Sequence, residues 1–438
     1  MNIVQITPGA GGMYCGNCFR DNAMVAELRK LGHETLMVPL YLPMTLEEED
    51  QSTGTPIFFS GINVYLEQKI PFFRHAPNWL HKLLASEKLL NLAGKQAAKT
   101  RAEDVGDLTL SMLRGEEGNQ ARELDELIAF LKSDTKPDVV CLSNAMLVGF
   151  ARKLKSELGC LVVCQLQGED AFLDSMHEAD RKAVWATLTE RASDVDLFIA
   201  PSQYFADNMA RRLSLPTEQL AVVYNGINLE GYLVENPSAD LSAPVLGYFA
   251  RMCEEKGLHL LVETFIELKR REATKHMKLK VGGGCGPGDQ KYVDRLRSHL
   301  CLEGVLKDVS FHPNLDRPAK QEFLKSLSIF SVPALYGEAF GLYLAEAMAA
   351  GVPVVQPRHA AFPEIVDVSG AGLVAEPNAG SLADEIEKLL GNENRFHALQ
   401  KNAVKTAKEK FNVGAMARSM VETFEKASLT KNNQPVSA

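Results

Sequence analysis

The sequence predicts an α/β protein of two doubly wound, Rossmann-like domains, and three observations carry that prediction. Short apolar runs alternate with helical stretches through both halves of the chain. Glycine-rich loops follow the runs Ile3–Thr7 and Met277–Val281. A strand, loop, helix, strand unit also spans Leu327 to Val355, with Gly341 at the helix start and Gly351 at its end.

Length and composition suit that architecture. With 438 residues, 46% hydrophobic and 24% charged, the chain is long enough for two full cores. The net charge is −9, and residues 1–228 hold 22 basic against 30 acidic residues, which argues against a nucleic-acid partner. Eight cysteines are scattered through a chain whose first residues read as a strand, not as a basic signal peptide. Reduced thiols and a cytoplasmic location are therefore expected. No apolar run approaches the roughly 18 residues that span a bilayer, so any membrane contact is expected to be peripheral.

The first half opens with Ile3–Thr7, the loop Pro8-Gly9-Ala10-Gly11-Gly12, a helix through Leu31 and the strand Gly32–Val38. The loop lacks a full G-x-G-x-x-G and reads either as the start of a binding loop or as a tight turn. Between Pro43 and Lys136 the alternation stops. An acidic tip at Glu47–Asp50, a β-like pair near Ile57–Leu66 and a helix-rich run from Asn78 to Leu131 elaborate the domain. The cluster Phe72-Phe73-Arg74-His75 with Trp79 reads as a packed loop, an acceptor contact or a membrane contact. Regularity returns with strand Asp138–Ser143, helix Ala145–Leu158, strand Cys160–Gln165, helix Arg181–Ala192, strand Leu197–Ala200 and helix Gln203–Leu213. Val222–Asn228 closes this half.

Leu229–Ala243 is the expected linker. The second unit then reads as strand Val245–Ala250, helix Leu258–Arg271, strand Met277–Val281, helix Gln290–Leu300, strand Val309–His312, helix Lys320–Ser326 and strand Leu327–Pro333. The helix between Gly341 and Gly351 and the strand beginning at Val352–Val355 come next. Helices Ser381–Leu390, Arg395–Lys410 and Val413–Ala427 follow, and Lys431–Ala438 reads as a disordered tail.

The chemistry gathers in this second unit. A helix start such as that at Gly341 presents unpaired N–H groups and a positive dipole end, which favours phosphate. Glu338 precedes it and Glu346 lies about two turns later; carboxylates beside a phosphate site suggest hydroxyl partners. Arg251 and Lys256 follow the first strand of the unit, where two cations at a strand's carboxyl end can clamp a diphosphate. Gly282, Gly283 and Gly284 allow a ring or phosphate to approach the backbone. His312-Pro313-Asn314 ends the next strand, where backbone groups read a base edge or His312 is a satisfied loop residue. Cys15 and Cys18 form a C-x2-C without a second half, which disfavours zinc and leaves a redox pair or an acceptor loop. Ser202 lacks the frame of a serine hydrolase nucleophile.

These motifs, Ala250-Arg251 to Lys256-Gly257, Val281-Gly282-Gly283-Gly284 and Glu338-x7-Glu346, resemble family 4 of the retaining glycosyltransferases, of GT-B fold. In the first half Gly11-Gly12, Gly32-His33-Glu34, Ala200-Pro201-Ser202 and Val223–Asn228 resemble it too. The resemblance implies two Rossmann-like domains facing a central cleft: an acceptor-side domain at 1–235 with an insertion at about 43–136, and a nucleotide-sugar domain at 236–410. A C-terminal helix at 411–430 would pack back on the first domain, followed by a tail at 431–438. It implies that Arg251 and Lys256 bind the donor diphosphate, that Glu338 holds hydroxyls of the transferred sugar and that Glu346 holds the ribose. Phe340, Gly341 and Leu342 would lie against sugar and phosphate, with Gly11, Gly12, Gly282, Gly283 and Pro313 completing the donor site. The family commonly carries a His before Gly in the first domain, where this chain has Gln167, followed by Gly168, Glu169 and Asp170. Gln167 hydrogen-bonds but does not titrate; Gln167, Glu169 and Asp170 are candidate acceptor-side or sugar-orienting groups, and Gln167 joins Glu338, Arg251 and Lys256 as a catalytic candidate.

The expected activity is transfer of a sugar, with retention, from a nucleotide diphosphate sugar to a sugar, lipid or small-molecule acceptor, with no metal or other cofactor. Retention would come from front-face attack or from a covalent carboxylate intermediate. An epimerase or hydrolase of the same fold, and a catalytically silent sugar-nucleotide binder, are the competing readings. A nicotinamide dehydrogenase fits the incomplete amino-terminal glycine loop poorly.

Overall fold

The computed structural model of the chain describes residues 1–9, 16–44, 46, 48–69, 73, 105–237 and 240–432. Its contacts divide it into one unit of Met1–Val223 with Met416–Ala438 and a second of Tyr224–Ala415, so the division falls just ahead of the expected linker.

In the first unit the elements are β1 (Asn2–Thr7), α1 (Gly16–Lys30), β2 (Glu34–Pro39), α2 (Gly61–Lys69), α3 (Gly106–Arg114), α4 (Ala121–Asp134), β3 (Val139–Leu142), α5 (Ala151–Leu158), β4 (Leu161–Gln165), α6 (Glu169–Asp174), α7 (Glu178–Ala192), β5 (Leu197–Ala200), α8 (Gln203–Leu213) and β6 (Leu220–Val222). The strands form one parallel sheet in the order β2-β1-β3-β4-β5-β6. β3, β4 and β5 are buried along their whole length, as a parallel sheet covered by helices on both faces requires. Ser202 caps α8 by accepting from the Phe205 N–H at 3.1 Å, which gives that serine a structural task.

The second unit contains β7 (Val245–Phe249), α9 (Leu258–Lys269), β8 (Lys278–Gly283), α10 (Gln290–Leu302), β9 (Val309–Pro313), α11 (Arg317–Lys325), β10 (Ile329–Phe330), α12 (Leu342–Ala349), β11 (Val354–Pro357), α13 (Phe362–Ser369), β12 (Gly372–Ala375), α14 (Ala379–Leu390) and α15 (Glu393–Glu409). α16 (Val413–Asn432) starts in this unit and passes into the first. The sheet order is β12-β11-β10-β7-β8-β9, again all parallel. In chain order this is 6-5-4-1-2-3, the doubly wound arrangement in which the winding reverses between the first and fourth strands. The two-domain α/β prediction is thus realised by two six-stranded parallel sheets.

Four local expectations need correction. The β-like pair at Ile57–Leu66 is replaced by α2: Phe59 donates one N–H to the Leu40 carbonyl, and the helix begins two residues later. The helix expected from Ala145 opens as a 3-10 stretch, Ala145–Phe150, capped by the Asn144 side chain at 3.0 Å from the Met146 N–H. The apolar run Leu327–Pro333 contributes only Ile329–Phe330 to the sheet, since Pro333 has no N–H and Ala334 turns back to the Val332 carbonyl. Lys431 is helical, not part of a disordered tail; its ammonium donates to the Cys160 carbonyl at 2.7 Å and lies 3.3 Å from Asp196.

One backbone position fixes how β7 and β10 present their loops. Gly257 has φ +69°, and a Cβ there would overlap the Pro333 carbonyl. The loop that starts at Arg251 therefore reaches the end of β10 only with glycine at its close. Gly257→Ala is expected to cost roughly 1–3 kcal/mol from the backbone conformation alone, with the overlap added. Urea unfolding of the full chain measures it, and an unchanged midpoint would show that the loop relaxes freely.

Candidate functional site

Ligands in open parallel sheets bind outside the carboxyl ends of the strands where the winding reverses. In the second unit that place lies between β7 and β10. The loop after β7 carries Arg251 and Lys256, the loop after β10 carries Glu338, and the loop after neighbouring β8 carries Asp289.

Glu338 is the centre of a hydrogen-bonded cluster. Its Oε2 accepts from Lys256 Nζ at 2.7 Å and from the hydroxyls of Tyr336 and Tyr343, each at 2.8 Å. Lys256 also donates to the Tyr336 hydroxyl. Its ammonium lies 4.5 Å from the Tyr336 ring centroid and 5.5 Å from that of Tyr343. Burial alone would push the Glu338 carboxyl up, but the Lys256 charge and these hydrogen bonds hold it below its ordinary range. Burial and the neighbouring carboxylate push the Tyr336 and Tyr343 hydroxyls up, so both remain donors. The two residues given separate roles by the resemblance are thus joined directly to each other.

Arg251 is prepared differently. Its side chain is 67% exposed, yet Asp289 grips it with two hydrogen bonds, Nε to Oδ2 at 3.2 Å and Nη2 to Oδ1 at 2.9 Å. Asp289 Oδ2 also accepts from the Gly286 N–H at 3.1 Å. The rest of that loop is tied to Asn314, whose side chain exchanges bonds with the Cys285 backbone at 2.9 and 3.0 Å. Gly282 and Gly283 are the last residues of β8; Gly283 has φ +122°, and a Cβ there would overlap the Ala250 carbonyl. Pro313 ends β9 and is exposed, while His312 is bonded to Ser310 at 2.9 Å and packs edge-on to Phe323 at 5.5 Å. His312 thus lies within β9 rather than in a loop, with its imidazole bonded to a neighbour on the same strand.

Gly341 stands at the N-cap of α12 with φ +82°, and Leu342 opens the helix. In the first turn the Leu344 N–H already bonds the Gly341 carbonyl at 2.8 Å, while the N–H groups of Gly341, Leu342 and Tyr343 precede the first acceptor of the helix. Phe340 is buried, with its ring 5.3 Å from Phe411 and 6.4 Å from Tyr224. Its side chain is core, and its backbone alone borders the loop. Glu346, on α12, is 13% exposed and pairs with Lys320 Nζ at 2.5 Å. The described residues thus gather Arg251, Lys256, Gly282, Gly283, Glu338, Gly341, Leu342 and Glu346 on neighbouring strand ends.

Sequence reasoning missed Asp289, Tyr336, Tyr343 and Lys320. Lys320 left a signal: it shares the buried face of α11 with Phe323 and Leu324, a position where an unpaired lysine would not survive. The tyrosines left none beyond lying beside Glu338 in the chain.

In the first unit Gly11, Gly12 and Cys15 lie outside the described residues, as do Phe72, Arg74, His75 and Trp79. Cys18 is buried in the first turn of α1. Gln167 is half-buried at the end of β4, and its N–H donates to Glu169 Oε2 at 2.5 Å. The other Glu169 oxygen accepts from the Ala145 N–H at 2.7 Å. Burial raises the Glu169 and Asp170 carboxyls. Glu169 thereby joins the loops after β3 and β4, and Asp170 accepts from the Asn208 amide at 2.8 Å. Among the described residues no cluster of His, Cys, Asp and Glu could hold a metal, and no helix is long and apolar enough to cross a membrane.

The Glu338 cluster has a pH signature. Its folded carboxyl sits below the ordinary value of 4.5, so between the two values the unfolded chain binds the extra proton. The stability it contributes is complete above 4.5 and is lost as pH falls through the folded value. Glu338→Gln is expected to flatten the fall in unfolding free energy below pH 4.5; equal slopes for both proteins would contradict the ion pair.

Comparison with known proteins agrees with this geometry. A family model described as Glycosyl transferases group 1 matches residues 234–406. A second, Glycosyltransferase Family 4, matches residues 106–230. The putative colanic acid biosynthesis glycosyltransferase WcaL of Escherichia coli is 27% identical over 197 residues, 44% of this chain and 47% of its own length. D-inositol 3-phosphate glycosyltransferase of Corynebacterium efficiens is 25% identical over 250 residues, 54% of this chain and 57% of its own length. The chain thus spans about half the length of these curated relatives. Sucrose-phosphate synthase of Thermosynechococcus elongatus superposes with a TM-score of 0.68 at 16% identity, over 98% of this chain and 99% of its own. Anabaena HepE, solved in complex with UDP, gives 0.66 at 16% identity, over 97% and 100%. At such identity the solved structures speak for the fold. With one family model on each half of the chain and this fold, the chain belongs to the family 4 glycosyltransferases of GT-B fold.

Proposed function

We propose that the chain is a retaining glycosyltransferase of hexosyl type that takes its sugar from a nucleotide diphosphate donor. The observation that carries the reading is the set of groups at the β7/β10 reversal: an Arg and a Lys, an α-helix start at Gly341, and two carboxylates each paired with a lysine beside them.

Breaking the anomeric C–O bond leaves positive charge on the sugar and negative charge on the departing diphosphate. Groups fixed in advance where the negative charge grows lower the barrier. Arg251, aligned by Asp289, offers its remaining N–H groups to the diphosphate. Lys256 gives two of its three hydrogens to Glu338 and Tyr336, and the third goes to a phosphate oxygen. The first N–H groups of α12 meet the phosphate as well. Glu338 accepts from hydroxyls of the transferred sugar, and Glu346 from those of the ribose. In this reading Gln167 orients the sugar or acceptor by hydrogen bonding, and the acceptor is a sugar, a lipid or a small molecule met in the cytoplasm, with peripheral membrane contact where it is a lipid. The UDP bound by HepE supports a nucleotide diphosphate as donor leaving group.

The donor is found by thermal shift against UDP-, GDP- and ADP-sugars, since a ligand at 100 times its Kd stabilises by about 2.7 kcal/mol. Arg251→Ala and Lys256→Ala are each expected to lower transfer by about a hundredfold or more. Proton NMR of the product should show the donor's anomeric configuration. Wild-type turnover in either variant would remove the diphosphate site, and an inverted product would remove the retaining mechanism.

A further inference from the structure

Lys320 is buried in a place where lysine is rarely found. Its side chain is 5% exposed on the inner face of α11, with the ammonium 5.1 Å from the Phe249 ring centroid and 5.8 Å from that of Tyr232. Phe249 ends β7 and packs edge-on to Phe323 at 5.4 Å, so this pocket lies directly beneath the strand that opens the donor site. Into it Glu346 extends from α12 and gives Oε1 to Lys320 at 2.5 Å.

Two long, flexible side chains are thereby fixed against each other inside an aromatic wall. A carboxylate largely withdrawn from water gains from such a partner, and Lys320 on Oε1 leaves Oε2 able to accept from a ligand. A cis-diol is the ligand such an oxygen suits, because a fixed carboxylate oxygen accepts from two neighbouring hydroxyls at once. We infer that Lys320 is a positioning residue which holds Glu346 for the ribose diol, and so sets the preference of the donor site for ribonucleoside over deoxynucleoside diphosphates. The inference rests on the donor reading above and adds a residue to it. Lys320 touches Glu346 and not the ribose.

The test uses the full chain and calorimetric titration with UDP, GDP and ADP. The tightest binder is then compared with its own 2′,3′-dideoxy analogue. The wild type is expected to prefer the ribose form by about tenfold or more, as two lost hydrogen bonds to a charged acceptor require. In Lys320→Met that ratio should collapse toward one while the dideoxy form binds nearly as before. Lys320→Arg, which keeps the charge, should restore most of the ratio. Lys320→Met combined with Glu346→Gln removes both buried charges together and serves if the single variant fails to fold; its ratio should equal that of Glu346→Gln alone. A Lys320→Met variant that weakens both ligands equally, with the wild-type ratio intact, would overturn the inference by showing a merely structural lysine. A wild type that binds none of the three diphosphates would overturn the donor reading itself.

Discussion

The ion pair between Lys256 and Glu338 joins two loops separated by 82 residues in sequence, and the candidate site depends on it. Glu338 Oε2 collects three donors, and each comes from a different constraint: Lys256 from the loop after β7, Tyr336 from the loop after β10, and Tyr343 from the first turn of α12. Removing the lysine would leave a carboxylate ionised with only neutral donors around it, in surroundings that strongly favour its protonation. The pair in turn needs the two loops to come close, and that approach is what the left-handed Gly257 beneath the Pro333 carbonyl permits. Backbone geometry, charge and tyrosine hydrogen bonding form one arrangement whose parts cannot be exchanged singly.

How much of this could be read from the sequence follows from the range of each interaction. Strands such as Leu197–Ala200 and helices such as Gln203–Leu213 were legible to the residue, because burial on both sheet faces and an N-cap serine are local signals. The stretch Ile57–Leu66 misled because its apolar pattern suits a strand, whereas the chain makes two bonds to Leu40 and Tyr41, from Phe59 and Gly61, and then turns into α2. Arg251, Lys256, Glu338 and Glu346 were visible as residues, through spacing and resemblance. Their partners were not. Asp289 and Lys320 reach the site through sheet order, and the strand order that brings β8 and β10 to either side of β7 is written nowhere in local periodicity; Tyr343 is near in sequence but carries no signal of its own.

The first unit shows the same sheet grammar with different chemistry at its reversal. There the winding turns between β1 and β3, and the described charged groups next to it are buried and paired: Arg20 with Asp21, which also accepts from Ser143 at 2.5 Å. Glu169, attractive in sequence as a carboxylate beside Gln167, bonds two backbone N–H groups and ties the loops after β3 and β4 together. The contrast is physical. A carboxylate that bonds only backbone amides stabilises a turn, whereas one paired with an ammonium has a partner that can also donate to an incoming anion.

That distinction bears on how the second unit would hold the proposed diphosphate. Each of the three cations named at the site is matched by an acid: Arg251 by Asp289, Lys256 by Glu338, Lys320 by Glu346. Taken together these six side chains carry no net charge, so a multiply charged anion is not drawn in by a pool of positive charge of the kind that steers association at long range. In the proposed donor site its charge would be met at short range, by the remaining guanidinium hydrogens of Arg251, the third hydrogen of Lys256 and the N–H groups at the start of α12. Such donors gain little from a diphosphate displaced by even an ångström, and much from one whose charge grows in place as a bond breaks. Matching every cation with a carboxylate therefore trades non-specific attraction for orientation, which is the property that a leaving group, more than a bound ligand, requires.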